Sequence, residues 1–419
     1  MNKVLSSALS LEAVMGDTVT GQEVVETPKD PEDMYRQVKS DVSISEVHHE
    51  VERAIINKEE LDEAAQTLEN IHHTSVTLEH DAGLARGMHL ACTKVVGTAL
   101  DNPADPLAFY NANPEASMES FVGSIKETIA KIWQAIVNFF KKITEAIKSF
   151  FKRLFGGVSN QREWIDKLKS RINQIKKSEY EASTAAVHLS KASLLAIDGE
   201  LNPDNVMRGA NAVDTVLVGN YDKFVEDHYS GYENLLDWFK KGDSSKIDLL
   251  WRIVNRKNEQ REKLLEQSMR KATLPGCMTL KMIFATSNRD FPMPTRYEVG
   301  KAEKCKDYRG NGTMFGMNID KLEELLSLVE GVVDVVEKHE DTINEIESLR
   351  EATKKAADDW LDSAEKSAID GVLTKMDIRS ALRIATNSSI KGLVSINEYL
   401  YKYSSATLEL IDKNLDRYK

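Results

Sequence analysis

The chain has 419 residues, 41% of them hydrophobic, and a formal net charge of −12; this apolar content supports packed cores, excludes a disordered chain, and at this length allows two or three domains. No run of eighteen uncharged apolar residues occurs, so no membrane-spanning helix is expected, and the acids Glu12 and Asp17 do not suit a secretory leader. Cys92, Cys277 and Cys305 form no CxxC pair, and their odd, sparse number predicts reduced thiols in an intracellular setting, with no metal or redox site.

The charge is unevenly spread. Residues 1–119 carry 8 Lys+Arg against 22 Asp+Glu, a net of −14, while the rest of the chain carries 47 against 45, a net of +2. Six of the nine histidines lie in the acidic part as well, which marks it as a compositionally separate unit. Within it, Val24–Asp33 reads as a loop. From about Met34 to Ala99 the apolar residues Val47, Val51, Ile55, Leu61, Ala65, Leu68 and Ile71 recur at three and four, the spacing of helices. Three prolines between Asp101 and Ser120 then break any helix and predict a linker and a domain boundary.

A cationic, aromatic helix follows at once. Ile125, Ile129, Ile132, Ile136, Phe140, Ile143, Ile147, Phe151 and Leu154 span 29 residues in eight steps, about 3.6 residues per step, the period of a straight α-helix. Trp133, Val137, Phe139, Phe150 and Phe155 widen this stripe, and Lys131, Lys141, Lys142, Lys148, Lys152 and Arg153 lie on the other side. Ile125–Phe155 carries seven basic and two acidic residues, a net of +5. Such a helix suits a membrane interface. It equally suits an apolar groove of a partner or a row of phosphates, or packing on its own domain with the lysines solvated. The preceding −14 stretch is placed to offset its charge.

Gly156 and Gly157 predict a helix stop and hinge, with a second long helix from Gln161 to about Ile197, a break at Asp198–Asn205, and further helices to Lys271. The basic stretch Arg252–Lys271 reads as a solvated helix face. Between Thr273 and Asn318 dense Gly, Pro and Asn, with alternation in "MTLKMIFA" and "RYEV", predict two or three short strands. Cys277 and Cys305 flank this insertion, but it contains no His to serve as a base, so no nucleophilic site is expected. Ile319, Leu322, Leu326, Val329, Val333 and Val336 form a seam that Glu340 ends, read as a coiled-coil-like hairpin or as ordinary bundle packing.

No GxxxxGK[ST], HExxH or GxSxG motif occurs. The doublets His48-His49 and His72-His73 place only one ring each on a given helix face, so no metal site is expected.

"SMESFVGSIKETIAKIWQAIVNFFKKITEAIKSFFKRLFGG", preceded by the acidic leader "LSLEAVMGDTVTGQEVVET", resembles the internal head proteins of large tailed bacteriophages. The resemblance is strongest over residues 1–157. It implies a protein made in the host cytoplasm and packaged with DNA in the virion interior, after a capsid-maturation protease has removed an N-terminal propeptide. In that family the cut follows Glu in a small-residue-x-Glu context. Ser10-Leu11-Glu12, Gly21-Gln22-Glu23 and Ser117-Met118-Glu119 match it, as do Gly231-Tyr232-Glu233 and Ser363-Ala364-Glu365 within the helical readings. Glu119 is favoured because the linker would present an extended backbone and the cut would remove the acidic unit whole.

The expected fold is mainly α: a multi-helix bundle with long helices and a small β-containing insertion. The expected divisions are an acidic helical propeptide with its Pro-rich linker (1–119), a cationic amphipathic helix (120–157), a helical body (158–272), the β insertion (273–318) and a C-terminal helical hairpin or bundle (319–419). The expected function is non-enzymatic and structural, inside a phage head, without a cofactor. The maturation protease and other head proteins are its expected partners, with packaged DNA and a membrane surface as candidates, and injection into the host is a further step. The alternative is a membrane-active or pore-forming helical protein kept inactive by its acidic pro-segment.

Overall fold

The computed structural model describes residues 44, 46, 118–178, 181–241, 273–283, 296–364 and 375–418; for 118–143, 282–283, 296, 358, 361–364 and 375–389 it describes the backbone alone. The His doublets, Cys92, Glu12, Glu23 and the Arg252–Lys271 stretch lie outside the described residues. The chain divides into two units, Met1–Arg36 and Gln37–Lys419. The Pro-rich linker that composition suggested as a boundary lies outside the described residues.

The described part of the second unit is mainly helical. Helix α1 (Met118–Ser178) has 61 residues and at 1.5 Å per residue extends about 90 Å. It runs straight through Gly156 and Gly157, so the expected stop and hinge between two helices is replaced by one continuous element. The reason lies in packing. A Cβ on Gly157 would sit 2.7 Å from the Tyr401 ring, whereas one on Gly156 would meet nothing within 4 Å. Gly157 is a contact residue that lets another helix approach closely, and helix propensity tolerates the pair because packing on both sides holds the helix.

Nor does a second long helix reach Ile197. Helix α1 ends at Ser178 with Lys176 and Lys177 in its last turn, where positive charge complements the carbonyl end of the helix dipole. From 181 the chain is irregular, with strand β1 (Val187–His188) and a 3-10 turn at Ala192–Leu194. Asp198 and Gly199 take positive φ at the break. Helix α2 (Pro203–Val216) then opens with Pro203 at its start and Asn202 as N-cap, whose side chain accepts a 2.9 Å hydrogen bond from the Asn205 amide. Helix α3 (Tyr221–Lys240) follows.

The expected β insertion is present. Strands β2 (Thr273–Leu274), β3 (Met278–Ile283) and β4 (Arg296–Lys301) form an antiparallel sheet in that order, with Leu280 opposite Val299. Strand β5 (Thr313–Met314) returns to pair with β1, Val187 opposite Met314. Cys277 and Cys305 are joined by a disulfide with Cα atoms 5.4 Å apart, which corrects the expectation of reduced thiols. They are 28 positions apart in sequence, and the pairing of β3 with β4 helps to bring them together.

Helices α4 (Ile319–Lys338), α5 (Glu340–Ala364) and α6 (Lys375–Leu415) complete the chain. Asn318 caps α4 by accepting from the Lys321 amide at 2.9 Å. The α4 seam is wider than a two-stranded coiled coil needs, since Leu325, Val332 and Val335 are buried beside Leu322, Leu326, Val329, Val333 and Val336. Bundle packing explains this: α4 lies against both α1 and α6, and α5 against α3.

Gly157→Ala is expected to destabilise the protein by about 1–3 kcal/mol, because Tyr401 is itself buried and has nowhere to move. Gly156→Ala is expected to stabilise it by up to about 1 kcal/mol through helix propensity. Thermal melts of the two variants check this; equal effects of either sign would restore the hinge.

Candidate functional site: the long helix and the processing junction

From Ile147 onward α1 buries Phe150, Phe155 and Gly157 beside a regular seam of Ile147, Phe151, Leu154, Val158, Gln161, Ile165, Leu168, Ile172 and Ile175. The steps of the seam alternate four and three, so the period tightens from the 3.6 of the upstream stripe to 3.5, the heptad of a helix held in a seam. This seam has one polar member. Gln161, fully buried, donates through Nε2 to the Tyr401 carbonyl at 3.1 Å and accepts from Ser404 Oγ at 2.7 Å, so its amide is matched to one register of α6.

The cations of this half are ordered by the same heptad. Lys148, Arg162, Lys169 and Lys176 all fall on one flank of the seam, and helix α4 runs antiparallel to it with an acidic row. Arg162 pairs with Glu337 at 2.8 Å and also with Glu330 and Asp334. Lys169 takes Glu330, and Lys176 takes Glu323 at 2.5 Å and Asp320 at 3.2 Å. On the opposite flank Arg171 bridges to Asp412 of α6 and to Asp416 just beyond its end. Burial alone would lower the pKa of Arg162, but its hydrogen bonds to Glu337 and Asp334 outweigh that and raise it. Lys148 reaches Glu351 of α5 at 2.8 Å. Lys152 and Arg153 occupy the outer face and are exposed.

The sequence-predicted residues thus separate. Ile147 and Phe151 are buried in the protein's own core and are not available to a membrane. Lys148 is engaged within the fold, and Lys152 and Arg153 face outward. Ile129, Trp133, Ile136, Phe140, Lys131, Lys141 and Lys142 belong to the α1 backbone, and their side chains lie outside the described residues. Glu119 is the second residue of α1, so the Glu119–Ser120 bond sits in a first helical turn and not in the extended linker expected for it. A first turn suits an acid, since the amide end of the dipole is positive. Its leading amides lack intrahelical partners, and such ends fray.

Sequence reasoning did not find Gln161, the acidic row of α4, or the buried pair Arg350–Glu347. In that pair Arg350 Nη2 lies 2.6 Å from Glu347 Oε1 and also donates to Thr144 Oγ1 at 2.8 Å, tying α5 to α1. Burial alone would lower the Arg350 pKa, yet Glu347 more than restores it and the net shift is upward. The signal for the ladder was available in the heptad spacing of the α1 cations and the acids on one side of α4. Arg350–Glu347 had none beyond an i, i+3 spacing shared with many surface pairs.

Among the described residues no group of three or more His, Cys, Asp and Glu is placed to hold a metal ion, and no helix is long and apolar enough to cross a membrane. What the geometry builds is a long helix braced along its downstream half by α4, α5 and α6. The family model for phiKZ-like phage internal head proteins matches residues 39–413, and the chain belongs to that family. Membership locates the protein inside the phage head, among other head components. No curated protein and no solved structure matches the chain.

Arg162→Glu, which sets a like charge among Glu330, Asp334 and Glu337, is expected to lower Tm by roughly 2–4 °C, with part of the loss recovered at high salt. Lys152→Glu on the outer face is expected to change Tm far less. Arg350→Met strands a buried Glu347 carboxylate and is expected to cost about 3–5 kcal/mol, most of it recovered when Glu347→Leu is added. Denaturant titrations of the single and double variants measure both.

Proposed function

We propose that the protein is packaged as a structural component of the head interior after proteolytic removal of acidic N-terminal sequence, with cuts after Glu119, Glu23 and Glu12. The observation that carries this reading is the match to the internal head family over nearly the whole chain. The charge asymmetry and the small-residue-x-Glu contexts support it. Glu12 and Glu23 fall in the separate unit Met1–Arg36, where cleavage would leave the second unit whole. Glu119 falls in the first turn of α1, where fraying would admit a protease.

A cut after Glu119 divides the chain into parts of net charge −14 and +2. The cut alone moves no charge; only departure of the acidic part exposes DNA to a near-neutral body headed by a cationic helix. The capsid-maturation protease, neighbouring head proteins and packaged DNA are the partners this reading requires, and delivery into the host with the DNA is its further step. The membrane-active alternative is not adopted, because it needs an apolar face whose members Ile147 and Phe151 are already buried.

Intact mass and N-terminal sequencing of the protein from purified particles tests the proposal. Chains beginning at Ser120, Val24 or Ala13 are expected. Recovery only of chains beginning at Met1 would overturn it.

A further inference from the structure

Among the described residues the core contains one from upstream of the Glu119 cut. Ile44 is 0% exposed and belongs to the same contiguous apolar cluster as Ile147, Phe150 and Leu154 of α1. Residues 37–119 and the body belong to a single unit that begins at Gln37, and the family match, residues 39–413, likewise spans the junction. Residues 37–119 carry 5 Lys+Arg against 15 Asp+Glu, a net of −10, opposite a body of net +2.

Severing the 119–120 bond removes neither the apolar contact nor the charge difference. Withdrawal of the segment would return Ile44 to water and leave an open socket among apolar side chains, both unfavourable. We propose that the segment 37–119 stays docked on the body after cleavage at Glu119, anchored by Ile44, so that the mature protein is a nicked two-chain complex. This rests on the Glu119 cut proposed above. It changes that reading in one respect: the Glu119 bond is cut but residues 37–119 are retained, so this acidic segment accompanies the body into the finished head and leaves only when Ile44 is withdrawn.

The test uses the full chain with a sequence-specific protease site inserted between Glu119 and Ser120, cut to completion and passed through gel filtration. Co-elution of the two pieces at the position of the uncut chain is expected at about 0.15 M salt and again at about 1 M, because apolar burial is not screened. Separate elution at either salt overturns the proposal; separation only at high salt would mean that charge, not Ile44, holds the segment. Ile44→Asp is expected to release the segment from the cut chain. Ile44→Ala, which retains more of the fold, is expected to speed dissociation by roughly 30-fold or more. A cut Ile44→Ala complex that dissociates at the wild-type rate overturns the anchoring role. Because the cut is engineered, absence of a Ser120 terminus in particles would retract the Glu119 maturation site and leave the docking result standing.

Discussion

The described fold depends on the seam of α1 between α4 and α6. An amphipathic helix of this length, with a wide aromatic face and a cationic flank, is unfavourable in water, since its apolar side cannot be left solvated. Here the downstream half is satisfied within the chain. Ile147 to Ile175 bury against the two neighbouring helices, one flank of cations meets the acids of α4, and Arg171 on the other flank meets Asp412 of α6 and Asp416 just beyond it.

Register in this seam has three independent determinants. Apolar packing alone permits sliding by a heptad, because one turn of Leu, Ile and Val resembles the next. Gln161 opposite Ser404 and the Tyr401 carbonyl forbids it, as a displaced amide would be buried without partners. Gly157 beneath Tyr401 forbids it sterically. The antiparallel order of Arg162, Lys169 and Lys176 against Glu337, Glu330 and Glu323 adds a weaker, salt-sensitive preference. Such redundancy suits the packaged structural role proposed for this protein of the head interior.

Much of this was legible in the sequence for elements whose signal is local. The helical period of α1 and the strands in "MTLKMIFA" and "RYEV" rest on spacing and turn chemistry, and the structure contains them. Where meaning depends on a distant residue, local reading failed. Gly156-Gly157 has the appearance of a helix stop until Tyr401, far along the chain, lies against it. Cys277 and Cys305 have no pairing signature because the connection between them sets their approach. The cations of α1 invite an external anion when read alone, yet Lys148, Arg162, Lys169, Arg171 and Lys176 are answered by acids of α4, of α5 and of the C-terminal end of α6. Ile44 gave no hint that it belongs to the core of a body beginning some seventy residues later.

Native-state hydrogen exchange along α1 in the full-length protein tests the central claim most directly. If the helix is one buried strut, amides from Ile147 to Ile175, including those at Gly156 and Gly157, will exchange only with global unfolding. Rapid exchange confined to Gly156–Gly157 would restore a hinge between two helices. Rapid exchange across the whole stretch would show that the seam with α4 and α6 does not hold the helix.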